Sequence, residues 1–403
     1  GVMLFKGNRA ENAQEVLNQS IEGLEFELAN AIYKLSNENR KSIAWLTGHG
    51  ELDSVWTASW RMALENLYDV STVNLADAND LSQFDVAIMA KPTRHFSEIE
   101  KYRLDQYIMN GGKLLLFLDR MDAHMDSASR NDYFAFPLET GLEDQLFKYG
   151  VRVNPDLLQD LVSAKYPIVT GQVGNQPQIM QIDWPFFPLV NGRDHVTTRN
   201  LDMAQARFAS SIDTVKAVGV RKTPLLFTSG RSRKITAPVK IGVNDLRQLT
   251  PENFNEPAIP VAYLLEGTFM SLYKNRFLPE TVSKDGFVDQ SKPTRIIVVA
   301  DGDFVRNDVN PRNGQVQQLG LDPFTNYTFA NQDFVMNFVN YLADENGLIN
   351  ARNKEVKIRP LDRTKIKDKF YWQFINLVLP LVVLIAFGLV RAWLRKRAYA
   401  NFS

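Results

Sequence analysis

The stretch Ile43-Ala-Trp-Leu-Thr-Gly-His-Gly-Glu-Leu-Asp-Ser54 joins a short apolar run to a loop in which two glycines flank one histidine. The run at 43–47 has the length and composition of a buried strand. Gly48 and Gly50 suit a tight turn, because glycine adopts positive φ without a steric penalty. The stretch therefore predicts a buried strand that ends in a loop presenting His49 beside the Glu51 carboxylate.

Strand and helix patterns alternate on both sides of this stretch. Strands are predicted at 43–47, 70–75, 86–90 and 114–118, and helices at 56–68 and 98–110. The second helix has capping-box spacing at Ser97 and Glu100, and the Gly111-Gly112 pair marks its end. A further apolar run at 295–300 precedes Asp301-Gly-Asp303, and a helix follows from Gln332 with Asn331 as its cap. Alternation of this kind predicts a parallel sheet, so the fold class is α/β.

The pattern changes between about 156 and 293, where short alternating runs are broken by proline and glycine. This part reads as a β-rich insertion into one α/β domain. The predicted organisation is a strand and an amphipathic helix at 1–40 that finish a missing N-terminal region, an α/β domain at 41–155 plus 294–348, the insertion at 156–293, a charged linker at 349–369, a transmembrane helix at 370–394 and a basic tail at 395–403. The opening Gly1-Val-Met-Leu-Phe-Lys6 is typical of a truncated or cleaved product.

Composition excludes several classes of function. The 403 residues include 46 Lys and Arg against 46 Asp and Glu, so the formal net charge is zero. A neutral chain lacks the positive field that gathers nucleic acid, and no nucleic-acid partner is predicted. The chain contains 0 Cys, which removes disulfides, thiolate metal sites and cysteine nucleophiles.

An apolar segment near the C-terminus predicts one membrane span. Residues 374–390 are apolar except for Asn376, and Arg391 follows them. The segment has about the 17 residues that span a bilayer, with aromatic and basic residues at its boundaries. The residues taken to mark the span are Phe374, Pro380, Leu384, Val390 and Arg391. Basic residues lie on both sides, so charge alone leaves its orientation open, and inner-membrane lipid is the expected environment.

Two loops follow predicted strands directly and carry polar side chains. Ligands of open α/β sheets bind beyond the carboxyl ends of the strands, where His49, Glu51, Asp301 and Asp303 are all expected. One interpretation makes His49 a general base or ligand, with the carboxylates as partners or a divalent-cation site. The other makes Gly48 and Gly50 turn residues, His49 a partly exposed turn tip and the aspartates turn caps.

Familiar catalytic signatures are absent from the sequence. It contains no G-x-S-x-G, Walker A, H-E-x-x-H or G-x-G-x-x-G motif, so no catalytic residue, cofactor or resident metal is predicted. The aromatic residues Trp184, Phe186 and Phe187 are candidates for stacking on a sugar, although flanking prolines favour a packed loop.

Several stretches together resemble the GldG family, the auxiliary, substrate-binding-like subunit of the gliding-motility ABC transporter. They are the stretch from Leu17 to Ile32, the Thr47-Gly-His-Gly-Glu51 loop, Asp183-Trp-Pro-Phe-Phe-Pro-Leu-Val190, Val299-Ala-Asp-Gly-Asp303, and the tail from Leu361 through the spanning helix. The resemblance implies a Rossmann- or flavodoxin-like sheet domain similar to class I glutamine amidotransferases. That fold uses a cysteine at a strand-to-helix elbow, whereas Leu118 here leads into Asp119-Arg-Met-Asp122. The resemblance therefore implies an amidotransferase-like crevice that lacks the catalytic cysteine.

The resemblance also implies an ABC permease subunit and an ATPase subunit as partners. The bulk of the chain is then expected in the periplasm, anchored to the bacterial inner membrane and linked to gliding and its secretion machinery. Two other functions stay open from the residues: a hydrolase or metal-dependent glycan-modifying enzyme that uses the crevice of His49 and Asp301, and a glycan- or peptide-binding envelope module.

Overall fold

The computed structural model describes residues 40–344, apart from 79, 126–132, 174–175, 244–248, 280–281 and 283–284, and residues 369–399. The strand and helix predicted before residue 40 and the predicted linker up to 368 lie outside the described residues. Contacts divide the chain into two units, Gly1–Lys354 and Glu355–Ser403, which are taken in turn below.

Within the described residues the first unit combines many strands with four helices. The strands are β1 Ser42–Thr47, β2 Asp69–Asn74, β3 Val86–Ala90, β4 Lys113–Phe117, β5 Phe134–Ala135, β6 Val151–Val153, β7 Asp156–Asp160, β8 Ser163–Val173, β9 Gln176–Gly192, β10 Ala204–Gln205, β11 Ile212–Thr214, β12 Val220–Phe227, β13 Ser232–Thr236, β14 Val239–Lys240, β15 Pro260–Gly267, β16 Thr294–Val299, β17 Leu321–Asp322 and β18 Tyr327–Thr328. The helices are α1 Ser54–Glu65, α2 Glu98–Met109, α3 Glu143–Tyr149 and α4 Asn331–Ala343, with short 3-10 turns at Pro251–Asn253 and Gly302–Val305.

The central sheet is mixed, with strand order β10-β9-β12-β15-β16-β4-β3-β1-β2 and β8 paired to β9. Strands β2, β1, β3, β4 and β16 run parallel to one another, as the alternating pattern predicts. The strands beyond β16 pair antiparallel. The sheet thus has a parallel part and an antiparallel part that meet at β16.

Strand β1 is buried on both faces, which explains its continuous apolar run. Ile43 and Trp45 pack in one core cluster with residues of α1 and α4. Ala44 and Leu46 pack in a second cluster with residues of α2 and α3. A strand covered on both faces does not alternate between apolar and polar side chains. The helices therefore lie on both faces of the parallel part of the sheet.

The segment predicted as an insertion supplies the antiparallel part of the same sheet. Strands β9, β12 and β15 all lie between 156 and 293, and β15 pairs directly with β16. A third core cluster fills this region around Trp184, Phe186, Phe187 and Phe208. The boundary of a separate domain at 156–293 stays a prediction.

Helix α4 begins one residue earlier than predicted, and Asn331 is not its cap. Ala330 precedes the helix and no side chain caps it. The Asn331 amide instead accepts a hydrogen bond from the Gln205 backbone N–H at 2.9 Å and donates to the Gln205 carbonyl at 2.8 Å. The prediction that Asn331 caps α4 is wrong, because the Asn331 side chain is committed to hydrogen bonds with Gln205, which is distant in the sequence.

The second unit contains helix α5, Lys369–Tyr399. The most apolar 18 residues within Tyr371–Tyr399 have a mean hydropathy of 2.4, and 0% of them are buried. The helix is therefore long and apolar enough to cross a membrane, and it extends five residues past the predicted end at 394. The one amide in the apolar segment is satisfied locally, because Asn376 Nδ2 donates to the Trp372 carbonyl at 2.9 Å.

Candidate functional site

The loop after β1 is fixed by its backbone. Gly48 and Gly50 have φ values of 121° and 72°, which side-chain-bearing residues rarely adopt. The carbonyl of His49 between them accepts hydrogen bonds from the Thr93 and Arg94 N–H groups, both at 2.8 Å. The loop is thus tied to the segment that follows β3, and both glycines act as the turn residues that the sequence predicts.

The His49 side chain is buried, with 3% of its surface exposed. Its Nε2 lies 3.2 Å from Glu100 Oε1 and its Nδ1 lies 3.7 Å from Glu51 Oε1. Its ring stacks on Phe96 with centroids 3.6 Å apart. The interpretation of His49 as a partly exposed turn tip is therefore wrong, because the loop folds inward against the start of α2.

The electrostatics of this group favour a charged imidazole. Burial alone lowers the pKa of His49, but the hydrogen bonds and charges of Glu51 and Glu100 outweigh it and raise the pKa above its usual value. Protonated histidine carries an N–H on both ring nitrogens. Nε2 lies within hydrogen-bond distance of Glu100, whereas Nδ1 faces Glu51 at 3.7 Å without a hydrogen-bond partner. Glu100 also accepts from the Ser97 backbone N–H at 2.8 Å, as its capping-box spacing predicts. We call His49, Glu51, Glu100 and Phe96 the histidine cluster.

A second buried cluster lies where β3, β4 and β16 end. Lys91 Nζ is 2.6 Å from Asp303 Oδ2 and 3.0 Å from Asp119 Oδ2. Lys91 itself has a φ of 58°, in the left-handed region that favours glycine. The Asp119 carboxylate also accepts from the Gly302 N–H. Lys91, Asp119, Asp301 and Asp303 are here called the lysine cluster.

Charges in the lysine cluster are compensated unequally. Burial raises the pKa of Asp303, but Lys91 outweighs it, and the pKa lies below its usual value. Burial and the neighbouring carboxylates of Asp119 and Asp303 raise the pKa of Asp301 well above its usual value. Asp301 Oδ2 accepts from the Arg207 N–H at 2.7 Å, whereas its Oδ1 has no hydrogen-bond partner. One ammonium therefore neutralises Asp303 while Asp301 favours its protonated form.

The structure divides the four predicted site residues between the two clusters. His49 and Glu51 share one, and Asp301 and Asp303 share the other. Within the described residues no three His, Asp or Glu side chains are arranged to hold a metal ion. The Lys91 ammonium stands between Asp119 and Asp303, where the cation of the predicted divalent site was expected.

Sequence reasoning missed Lys91 and Glu100 as partners of these groups. Lys91 directly follows the apolar run of β3, which is the position that singled out the other site residues. Glu100 was assigned to helix capping, and nothing in the spacing shows that it also reaches the β1 loop.

Open surface lies elsewhere on the unit. A groove between α3 and the turn at 272–276 is lined by residues that belong to neither cluster. The predicted sugar-stacking residues offer no surface, because Trp184, Phe186 and Phe187 are exposed by 0%, 1% and 4%. A glycan-binding role for these rings is wrong, since they form the third core cluster.

Comparison with known proteins gives three findings. The family described as an ABC-type uncharacterized transport system matches residues 40–338. A protein of Borreliella burgdorferi described as an uncharacterized protein is 22% identical over an alignment of 396 residues that covers 94% of this chain and 70% of that protein. The solved mmIFT52 N-terminal domain shares 14% identity at a TM-score of 0.44, covering 76% of this chain and 99% of that domain. This last likeness is too weak to support an argument.

Proposed function

This chain belongs to the ABC-type uncharacterized transport system family, and from that premise we propose that it is a membrane-anchored, non-enzymatic subunit of an ABC transporter complex. Family membership makes it an auxiliary component of an ABC-type transport system. The proposal has three parts. Helix α5 anchors the chain in a membrane, a permease and an ATPase are among its partners, and the first unit catalyses no reaction.

One observation carries the non-enzymatic part of the proposal. The crevice beyond the parallel strands, where α/β proteins bind ligands, is occupied by the protein's own ion pairs. Lys91, Asp119 and Asp303 are exposed by 5%, 4% and 7%, and the Lys91 ammonium pairs with both carboxylates. A substrate needs an open concave site with unpaired polar groups. Ion pairs that close the crevice favour a binding or scaffolding role over turnover.

We propose a doubly wound, flavodoxin-like fold for the parallel part of the sheet. Its strand order β2-β1-β3-β4-β16 has the 2-1-3-4-5 pattern of that class, with helices on both faces. The likeness to amidotransferases belongs to this proposal. The position after β4 where those enzymes carry cysteine leads here to Asp119, which is committed to Lys91.

Anchoring and location rest on helix α5. A helix of this length and hydropathy with an uncovered apolar surface fits a lipid bilayer. We propose that it lies in a bacterial inner membrane with the first unit in the periplasm. The link to gliding motility and its secretion machinery rests on the resemblance of the quoted stretches to the GldG family and is the finest part of the proposal.

The test is co-purification of the full chain with its transporter. Co-expressed with its proposed permease and ATPase subunits and extracted in mild detergent, the chain is expected to elute with both. A chain that elutes reproducibly alone, while permease and ATPase remain together, contradicts the proposal.

An enzyme remains the second candidate because of two features of the lysine cluster. Lys91 has a left-handed backbone, and Asp301 Oδ1 is buried without a partner. Strained and unsatisfied groups concentrate at functional sites. Asp301→Asn keeps the shape and removes the acid, so an enzyme loses activity in this variant while it still folds. A folded Asp301→Asn chain that supports wild-type transport contradicts the enzyme.

A further inference from the structure

Helix α5 carries one amide inside its apolar segment, and a proline follows it one turn later. The Asn376 side chain donates one hydrogen to the Trp372 carbonyl at 2.9 Å, which leaves its second N–H and its oxygen for other partners. Pro380 has no N–H, so it cannot donate the usual helical hydrogen bond to the Asn376 carbonyl four residues earlier. Polar groups inside a bilayer must be satisfied by protein partners. Asn376 therefore offers one donor and two acceptors to a neighbouring helix.

The side chains in line with Asn376 match the packing edge of a two-stranded coiled coil. Val383 and Val390 follow at intervals of seven residues, and Leu379 and Ala386 lie three residues after Asn376 and Val383. We call these five residues the seam. Valine at the first seam position of each heptad with leucine at the second favours two strands, and a single asparagine at a first position fixes register and strand number.

The seam is uncovered in the described part of the second unit. Leu379, Val383 and Val390 are each more than half exposed there, and none of the most apolar 18 residues of the helix is buried. Membrane-spanning helices commonly pack at the same crossing angle as soluble coiled coils. The seam is therefore available to one further helix.

A second copy of the chain fits the seam because the Asn376 amide is complementary to itself. Two copies in one membrane insert with the same topology, so their α5 helices are parallel and the two amides lie at equal depth. The remaining N–H of one amide then donates to an oxygen of the other, and two-fold symmetry supplies the reverse bond. Any other helix would have to carry its own polar group at this depth.

We propose that α5 pairs with α5 of a second copy as a parallel dimer, with Asn376, Val383 and Val390 along the two-fold axis. The inference rests on the proposed anchoring of α5 in a membrane. Hydrogen bonds between membrane helices favour association by about three- to thirtyfold, so the amide selects the face and register while the apolar seam residues supply the packing.

Cysteine crosslinking of the full chain in isolated membranes tests the proposal, because the chain contains 0 Cys. The test variant Val383→Cys places one thiol on the seam. The matched control Leu381→Cys places it two residues away, on the opposite side of the helix. A disulfide needs Cα atoms within about 7 Å, which only seam positions of the paired helices reach, so we expect Val383→Cys to give disulfide-linked dimers about tenfold faster than the control, or faster still.

A second variant tests the amide itself. In the Val383→Cys background, the exchange Asn376→Leu with Leu377→Asn keeps the composition of the segment but turns the amide about 100° away from the seam. We expect dimer formation to slow about threefold or more, as the loss of an interhelical hydrogen bond predicts. An unchanged rate contradicts the proposal.

Three further results overturn it. Equal rates for Val383→Cys and Leu381→Cys indicate random collision of the helices. Absence of dimers from both, while both thiols react with a membrane-permeant maleimide, shows that the helices stay apart. Loss of the Val383→Cys dimer when the proposed permease and ATPase are co-expressed assigns the seam to another helix.

Carbonate extraction of the same membranes measures anchoring separately. A chain released by carbonate contradicts the anchor, and the helix pairing with it. A chain that carbonate retains but that shows no preference for the seam thiol contradicts the pairing alone.

Discussion

At the scale of single residues, the histidine cluster shows how a buried imidazole can stabilise the fold when it is protonated beside two carboxylates. The raised pKa means that the folded state binds the proton more tightly than the unfolded chain does. His49 therefore contributes stability that is fully present below the unfolded pKa of about 6.5 and is lost as pH rises through the folded pKa.

We expect His49→Gln to lower the free energy of unfolding by about 2 to 4 kcal/mol below pH 6, because it leaves Glu51 and Glu100 without a cation. The difference from wild type should shrink as pH rises. Urea unfolding of the first unit between pH 5.5 and 8.5 measures it. His195→Gln is the control with the opposite pH dependence. Burial lowers the pKa of His195, so wild type loses stability as pH falls, and the difference between wild type and this variant should shrink as pH falls. A difference that is the same at every pH contradicts a protonated His49.

Lys91 is the residue on which the lysine cluster depends. Lys91→Met keeps most of the volume but removes the ammonium that pairs with both Asp119 and Asp303, and Asp303 then keeps only the more distant Arg306 guanidinium, at 3.6 Å, as an ion-pair partner. We therefore expect a loss of about 3 to 5 kcal/mol. Lys101→Met is the matched control, because Lys101 is equally buried but its partners Glu98 and Asp144 are 59% and 35% exposed. Unfolding in urea near neutral pH should show a clearly smaller loss for the control. Equal losses would mean that Lys91 contributes packing and little else.

At the scale of elements, the β1 loop depends on its glycines. Gly50 combines a left-handed backbone with a close approach, since a β-carbon there would meet Thr93 Oγ1. Gly314 has nearly the same φ, 68° against 72°, and nothing within 4 Å of the corresponding position.

Gly314→Ala should therefore lower the free energy of unfolding by about 1 to 2 kcal/mol, the cost of placing an L-residue in a left-handed backbone. Gly50→Ala should lower it further, because its β-carbon also clashes with Thr93. Thermal unfolding of the two variants at one pH compares them. If Gly50→Ala is no worse than Gly314→Ala, the loop relaxes away from Thr93 and is not rigid.

Helix α5 makes a prediction about the membrane. Leu384→Arg places a charge near the middle of the apolar segment and should cost roughly 2.5 to 3.5 kcal/mol of insertion free energy, whereas Leu384→Ile should be almost silent. Carbonate extraction of membranes from cells that express a chain starting at residue 40 reads out the retained fraction. Equal retention of the Arg and Ile variants argues against a spanning helix.

At the scale of the whole molecule, the two units should be thermodynamically separable. The unit Gly1–Lys354 contains the three core clusters. A chain ending at Lys354 should therefore unfold with a thermal midpoint within about 2 °C of the full chain in detergent, since 1 kcal/mol shifts the midpoint of a unit this large by about 2 to 4 °C. Calorimetry of both chains is the measurement. A fall of 10 °C or more shows that the second unit stabilises the first.

Features that depend on local chemistry are specified by short stretches of the sequence. Runs of apolar residues fixed the parallel strands, Ser97 and Glu100 fixed the start of α2, and Gly48 and Gly50 fixed the turn after β1. Hydropathy and length marked α5 as able to span a membrane. These features follow from the periodicity of apolar residues, from helix-capping side chains and from the φ values open to glycine. Residues close together in the sequence are enough to specify them.

Contacts between charged groups that are distant in the sequence depend on the three-dimensional fold. Glu100 contacts His49, and Lys91 contacts Asp303, although each pair is far apart in the sequence. Sheet pairing brings such residues together, and no local pattern records it. The Asn331 side chain binds the Gln205 backbone and therefore does not cap α4. Strand pairing places β9, β12 and β15 of the predicted insertion in the main sheet. The four predicted site residues lie in the histidine cluster and the lysine cluster, where they lie beside other charged groups. A buried charge requires a partner more strongly than an exposed one does.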